Sequence, residues 1–301
     1  MATILVTGAT GKQGGALIKN LVQKNAPFQI LAVTRNPQSP SAQKLLKESK
    51  NIKLVQGDSN DPSEIFKNAQ QQISEPIWGV FSVQAAIGTK IPEDVQGKGL
   101  IDEALKHGVK HFVYTSVDRN GEKSIENPTD VPHFIKKNDI ERYLIEKTKD
   151  GQMDWTILRP TAFYEDLTPD FMGKVFATAF KIALKGKPLQ MVGISDIGAV
   201  AAEVFLNAQD YKGRAISLAG DELTFEQWAQ IFKEKTGQDV PTTFGFVVTG
   251  ILYMVKDFGY MFKWFHDVGY GADIAEVKKI HPGLKDFATW LETESKFELK
   301  K

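Results

Sequence analysis

The chain has 301 residues, of which 42% are hydrophobic and 25% are charged, and its 37 basic and 37 acidic side chains leave no net charge at pH 7. This balance argues against direct nucleic-acid binding, because phosphate contacts depend on clustered Lys and Arg in excess. The chain has no cysteine, so disulfides, thiolate catalysis and Cys-based metal sites are excluded and a reducing cytoplasm is the expected environment.

The first predicted element is a β-strand at residues 3–7, which leads into a glycine-rich turn and a helix. Because the chain enters this strand at once, we expect no targeting segment ahead of the fold. Glycines at this spacing permit a tight turn and close backbone approach to a pyrophosphate, and the helix offers free N–H groups at its start. We therefore predict a dinucleotide site, with an unliganded tight turn as the alternative. The predicted ligands are Gly8, Thr10, Gly11, Lys12, Gln13 and Gly14.

Strands and helices alternate over the first half of the chain. Further strands are predicted at residues 29–34, 52–56, 77–82, 111–116 and 155–159, with helices between them at 42–48, 62–69, 95–107 and 133–147. Strands that are separated by helices with short connections are typical of βαβ units. The predicted fold is therefore α/β: a doubly wound parallel sheet of the Rossmann type with a second, smaller α/β lobe.

The regular alternation ends after Pro160. A helical pattern covers 163–184, strands are predicted at 189–192 and 215–219, and helices at 197–207 and 225–237, the last capped by Thr224. We predict an NADP-binding domain at 1–160 and a smaller partner or substrate lobe at 161–301, from which 197–207 and 215–219 return to the main sheet. The longest apolar run, at 244–255, is too short and too interrupted by threonine to span a bilayer.

Arg35 follows the second predicted strand, at the position that faces the adenosine ribose in this fold. An acidic residue there selects a free 2′-hydroxyl, whereas an arginine accommodates a 2′-phosphate with two parallel hydrogen bonds. No acidic residue neighbours Arg35 in the sequence. The predicted cofactor is therefore NADP(H), and the alternative for both Arg35 and Lys12 is a solvated basic residue without a ligand.

The ends of the next three strands lie at the edge where open α/β sheets bind their ligands. Asp58 follows the third strand, where a carboxylate can meet the adenine edge. Ser116 closes the fifth strand. Its hydroxyl could equally contact the cofactor or make a local hydrogen bond to the backbone at the strand end. The fourth strand is expected to pass beneath the cofactor with Ser82, Val83 and Gln84.

The helix predicted at 133–147 carries His133 and Lys137 four residues apart, and hence on one face. A lysine here is suited to hydrogen-bond the nicotinamide ribose, and a neighbouring proton donor can serve the reduction of a carbonyl. Short-chain reductases use Tyr-x-x-x-Lys for this purpose, but His133 occupies the tyrosine position. We predict Lys137 as a cofactor ligand and, with His133, as the candidate catalytic pair.

Several stretches together resemble the NmrA-like proteins, which are atypical relatives of the short-chain dehydrogenases and reductases. They lie at residues 8–14, 34–35, 133–137, 158–164, 195–198 and 261–282. The resemblance implies a Rossmann domain that prefers NADP(H), with the glycine turn on the phosphates and Arg35 on the 2′-phosphate. It also implies that Pro160, Thr161 and Phe163 lie along the nicotinamide, where their backbone holds its carboxamide. Ile135 departs from the family pattern, in which many relatives carry a polar residue.

The resemblance implies two classes of function. Some members are NADP-sensing regulators that bind other proteins, including transcription factors, and the missing tyrosine favours this class, in the cytoplasm or the nucleus. The alternative is an NADPH-dependent reductase of a hydrophobic carbonyl or quinone-like substrate, in which Lys137 acts with His133 or with Tyr164 and a water. A run of aromatic residues would line its pocket. The same aromatics also fit the core of the lobe or an exposed docking surface. They are Phe244, Phe246, Tyr253, Phe258, Tyr260, Phe262, Trp264 and Phe265. The oligomeric state stays open.

Overall fold

The computed structural model describes residues 1–84, 90–127 and 129–300, and these divide into two compact units. The first unit comprises Met1–Ser116, Lys136–Arg159 and Ile197–Ile216, and the second comprises Val117–Ile135, Pro160–Asp196 and Ser217–Lys301. This division differs from the predicted one, because 117–135, Pro160 and residues 217–219 of the predicted strand 215–219 lie in the second unit. Helix 197–207 lies in the first unit.

Among the described residues, seven strands form one sheet and three form another. The strands are β1 (Ala2–Val6), β2 (Phe28–Thr34), β3 (Ile52–Gln56), β4 (Ile77–Ser82), β5 (His111–Thr115), β6 (Asp154–Pro160), β7 (Ala162–Phe163), β8 (Leu189–Val192), β9 (Arg214–Leu218) and β10 (Asp221–Leu223). The large sheet has the order β3-β2-β1-β4-β5-β6-β9, and the pairs from β3 to β6 are parallel. This confirms the predicted doubly wound parallel sheet.

Thirteen α-helices accompany these strands in the described part of the chain. They are α1 (Lys12–Gln23), α2 (Pro40–Glu48), α3 (Pro62–Gln70), α4 (Glu93–Lys106), α5 (Pro132–Lys147), α6 (Phe171–Leu184), α7 (Ile194–Leu206), α8 (Ala208–Tyr211), α9 (Phe225–Thr236), α10 (Gly245–Met254), α11 (Lys256–Asp267), α12 (Ile274–Ile280) and α13 (Phe287–Thr293). The predicted cap of α9 is confirmed, because Thr224 and Gln227 form a reciprocal capping box. No described helix has the length and apolar character needed to cross a membrane.

The core of the first unit lies around the central strands. Ile4, Leu5 and Val6 of β1 are fully buried, as expected for a parallel strand covered on both faces. Helix α7 packs closely on α1 at Gly198, where an added Cβ would lie 2.5 Å from the backbone carbonyl carbon of Ala16. This close contact holds α1, and with it the glycine-rich turn, against the sheet.

The second unit has an aromatic core and the three-stranded sheet β10-β8-β7. The helix predicted from residue 163 was wrong at its start. Ala162–Phe163 instead pairs with β8 as a parallel strand, and α6 begins only at Phe171, where the Asp170 carboxylate caps it. Strand β10 was not predicted, because three residues are too few to show a period-two pattern.

Candidate functional site

The glycine-rich turn has the geometry of a backbone cradle. Gly8 adopts a φ of +57°, and a Cβ there would lie 2.6 Å from Val83 Cγ1. A Cβ on Gly14 would lie 2.4 Å from the carbonyl oxygen of Gly8, so only glycine allows the helix to start this close to the strand. Gly11 is the N-cap of α1 and supplies no side chain to the first turn. The first N–H groups of α1 therefore suit an anionic ligand.

A cleft of about 520 Å³ opens beside this turn, within the first unit. Its walls come from the carboxyl ends of β1, β2, β3 and β4, and from the start of α4. The lining residues are Gly8, Thr10, Gly11, Val33, Thr34, Arg35, Gly57, Asp58, Ser59, Asn60, Val83, Lys90 and Gln96. Six predicted cofactor ligands thus share one cleft, and its shape and position fit the adenosine and phosphate part of a dinucleotide.

The charges of the cleft are mostly positive. Arg35 and Lys90 are exposed cations, and no ion pair of the described residues engages Arg35. Asp58 is the one acidic lining residue, and its carboxylate accepts a hydrogen bond from the backbone N–H of Asn60 at 2.9 Å. Such a pair of cations suits a phosphate better than a free ribose hydroxyl.

Two lining residues that the sequence did not single out organise the floor of the cleft. The buried Gln96 donates from Nε2 to the Asn60 carboxamide oxygen and to the carbonyl of Ile91, both at 3.0 Å. The bond to Asn60 connects the loop after β3 to the first turns of α4. A local signal for this bond was lacking, because Gln96 and Asn60 are 36 residues apart.

The other predicted ligands of the turn and of β4 do not line the cleft. Lys12 is exposed at the start of α1, and the Gln13 side chain accepts a hydrogen bond from Thr115 Oγ1 at 2.7 Å. Gln84 donates to Ser82 Oγ at 2.8 Å, and both side chains are buried. Their roles as cofactor ligands stay predictions.

Ser116 belongs to a buried polar network of the first unit. Its side chain is only 4% exposed, and its hydroxyl donates to Glu141 Oε1. Glu141 also pairs with Arg159, whose Nη2 lies 2.6 Å from Oε2. The Ser116 hydroxyl therefore bonds to a side chain 25 residues away and not to the backbone at the strand end, and its place in the cofactor site stays a prediction.

Lys137 forms a buried ion pair that the sequence did not reveal. Its Nζ lies 2.6 Å from Oε1 of Glu93, the first residue of α4. The Glu93 side chain has no exposed surface, and that of Lys137 is 13% exposed. The second carboxylate oxygen, Oε2, is buried and makes no hydrogen bond. The negative charge of this buried carboxylate is therefore compensated by one ammonium group, that of Lys137.

His133 has a carboxylate partner of its own, within the second unit. Its Nδ1 lies 2.7 Å from Asp257 Oδ1 on α11, and its ring packs edge-on against Phe134. Asp257 thereby fixes the orientation of the imidazole, as a carboxylate does for a histidine in an acid–base role.

Pro160, Thr161 and Phe163, which the family resemblance placed along the nicotinamide, lie in the second unit. Pro160 and Thr161 are buried, and the Thr161 hydroxyl donates to the carbonyl of Leu218 at 3.0 Å. Phe163 is partly exposed in β7. A backbone contact to the carboxamide stays a prediction.

The aromatic run of the second unit divides into two groups. Phe262, Trp264 and Phe265 are buried in the core of that unit, as the structural alternative expected. The members near α10 are instead largely exposed, with Phe246 at 78% and Tyr253 at 87%. No group of His, Asp and Glu side chains suited to a metal ion occurs among the described residues.

Comparison with known proteins gives one consistent result. The model of the NmrA-like family matches residues 1–291. An NmrA-like family domain-containing oxidoreductase, hkm9 of Aspergillus hancockii, is 30% identical over 256 residues, which cover 78% of this chain and 72% of the relative.

Many solved structures share the fold, among them the following two. Triphenylmethane reductase of Citrobacter sp., complexed with NADP(H), has a TM-score of 0.74 and 18% identity, over 97% of this chain and 99% of the other. NmrA, a negative transcriptional regulator in complex with NAD, has a TM-score of 0.70 and 18% identity, over 97% and 95% of the two chains.

Proposed function

The chain belongs to the NmrA-like family of NAD(P)-binding proteins, and from this premise we propose that it binds NADP(H) and reduces a hydrophobic carbonyl or quinone-like substrate. A nicotinamide dinucleotide as cofactor follows from the family and the fold. The choice of NADP(H) over NAD(H), and the reduction itself, are the parts that we propose.

The observation that carries the cofactor assignment is the cleft beside the glycine turn. It brings the open start of α1 and Arg35 to one cavity, with Lys90 as a second cation. The N–H groups would hold the pyrophosphate, and the guanidinium would hold the 2′-phosphate with charge-assisted hydrogen bonds.

The observation that favours a reductase is that each of the two candidate catalytic side chains has a carboxylate partner. Lys137 and His133 lie four residues apart on α5, and each is held by a carboxylate, Glu93 and Asp257 respectively. NADPH supplies a hydride when it is bound. Lys137 would hold the nicotinamide ribose, and His133 would donate a proton to the substrate oxygen, so that C=O becomes CH–OH. Oriented groups of this kind are what the reaction requires from the protein.

A second candidate, cofactor sensing through a protein partner, is favoured by the exposed aromatic side chains near α10. Exposed apolar groups in this number are typical of a surface that another molecule covers. For such a sensor, NADPH and NADP⁺ must differ in their affinity for two conformations.

One experiment tests the cofactor assignment, and a second separates the reductase from the sensor. Arg35→Asp is expected to weaken NADPH binding at least about tenfold while changing NADH binding much less, because a charge-assisted contact of this kind is worth about 1.5–3 kcal/mol. Equal losses for both cofactors would contradict the NADP(H) assignment.

In the second experiment, purified protein with NADPH is screened against quinones, aldehydes and aromatic enones.

Oxidation that disappears in Lys137→Ala supports the reductase. No turnover, combined with a cofactor-dependent change in protease sensitivity within residues 160–290, supports the sensor instead.

A further inference from the structure

Glu93 occupies an unusual position for a charged residue. It opens α4 directly after Pro92, and its carboxylate is wholly buried. The positive end of the helix dipole favours an acidic group in this turn, but it does not require burial. A buried ion pair is weak evidence for stability, because apolar side chains of similar volume often serve as well. The pair therefore calls for a role other than stability.

The ammonium group of Lys137 has three N–H donors, and one of them is taken by Glu93 at 2.6 Å. Among the described residues, the other two have no partner. The side chain of Lys137 is 13% exposed. Lys137 is thus held at one end by the protein and keeps two donors for a ligand.

The turn that carries Glu93 also belongs to the cofactor cleft. Gln96 follows Glu93 by three residues on α4, lines the cleft, and is bonded to Asn60 at its floor. The first turns of α4 therefore connect the adenosine side of the first unit to the side that holds Lys137. Both ends of this connection lie within the same compact unit.

We propose that Glu93 is a positioning residue, which holds the Lys137 ammonium group where it hydrogen-bonds the nicotinamide ribose of NADP(H). The inference rests on the proposed function, since it requires the cofactor to bind in the first unit. It adds a residue to which the family resemblance gave no role. Glu93 acts through Lys137 and does not itself contact the cofactor.

The test compares two ligands by calorimetry. NADPH carries the nicotinamide ribose, whereas adenosine 2′,5′-bisphosphate carries only the adenosine and its phosphates. Glu93→Asp keeps the charge but withdraws the carboxylate by one methylene, and Glu93→Gln keeps the size but removes the charge. Both are expected to weaken NADPH binding about tenfold or more and to leave binding of the bisphosphate within about twofold.

Two further variants complete the design. Lys137→Met is expected to weaken NADPH binding at least as much, and adding Glu93→Gln to it is expected to cause no further loss. Asp94→Asn is the matched control, because Asp94 lies in the same helical turn but faces Lys98 at 4.0 Å. It removes the same charge and is expected to leave the affinity for both ligands within about twofold.

The outcomes are distinguishable. Equal weakening of both ligands in the Glu93 variants would show a merely structural role and overturn the inference. Unchanged NADPH binding in the Glu93 variants, or in Lys137→Met, would also overturn the inference. In that case the binding of NADPH by the wild-type protein would still support the cofactor assignment. If the wild-type protein binds neither ligand, the proposed function falls and the inference falls with it.

Discussion

Removing the ammonium group of Lys137 is expected to destabilise the protein far more than a surface mutation of the same type. In Lys137→Met, the fully buried Glu93 carboxylate loses its partner, and one of its oxygens already lacks a hydrogen bond. Breaking a buried pair from one side costs about 3–5 kcal/mol, because an uncompensated charge stays in the interior. Removing both charges, in Lys137→Met with Glu93→Gln, is expected to restore most of that loss.

The control is the pair of Lys24 and Glu203, which has nearly the same length, 2.7 Å, but side chains that are 41% and 23% exposed. Lys24→Met is expected to cost at most about 1 kcal/mol, since solvent screens an exposed pair. The assay is denaturant unfolding of the three variants and the wild type, followed by far-UV circular dichroism.

Two results would refute this reasoning. One is a loss in Lys137→Met that is no larger than the loss in Lys24→Met. The other is a double variant that is no more stable than the single one. Either result would mean that Glu93 does not depend on Lys137 for its charge compensation.

Two further predictions concern the turn and the sheet. Gly14→Ala is expected to weaken NADPH binding at least about tenfold, because the added Cβ would lie 2.4 Å from the Gly8 carbonyl oxygen. Gly15→Ala is the control and should be tolerated, because its Cβ would lie 3.4 Å from the nearest atom. Equal effects of the two variants in calorimetry would contradict the cradle geometry. Burial lowers the pKa of His111 to about 4. As the pH falls, the unfolded chain therefore takes up a proton on this histidine before the folded chain does. Up to about 3 kcal/mol of stability is lost between pH 6.5 and pH 4. Unfolding curves of His111→Gln over this range should lack that contribution, and an unchanged pH dependence would contradict it.

The parts of the fold that were predictable depend on local sequence. The φ of +57° at Gly8 and the tight packing at Gly14 both favour glycine. These positions are close along the chain, so their spacing is visible in the sequence. The cap of α9 is another local signal, since Thr224 and Gln227 are three residues apart. Alternation of apolar strands and amphipathic helices was enough to predict the parallel sheet.

The parts that were not predictable depend on contacts between distant segments. Glu93 and Lys137 are 44 residues apart, and nothing beside either residue indicates its partner. The same holds for Ser116, whose engagement by Glu141 spans 25 residues. The aromatic run of the second unit shows a different limit, because composition does not distinguish the buried Phe262 from the exposed Phe246.

The central claim is that backbone amides at the glycine turn and the guanidinium of Arg35 bind a dinucleotide with a 2′-phosphate. The most direct measurement is isothermal calorimetry of the wild-type protein with NADPH and with NADH under one set of conditions. We predict one bound NADPH per chain and at least about tenfold weaker binding of NADH. No binding of either cofactor, or tighter binding of NADH, would contradict the claim.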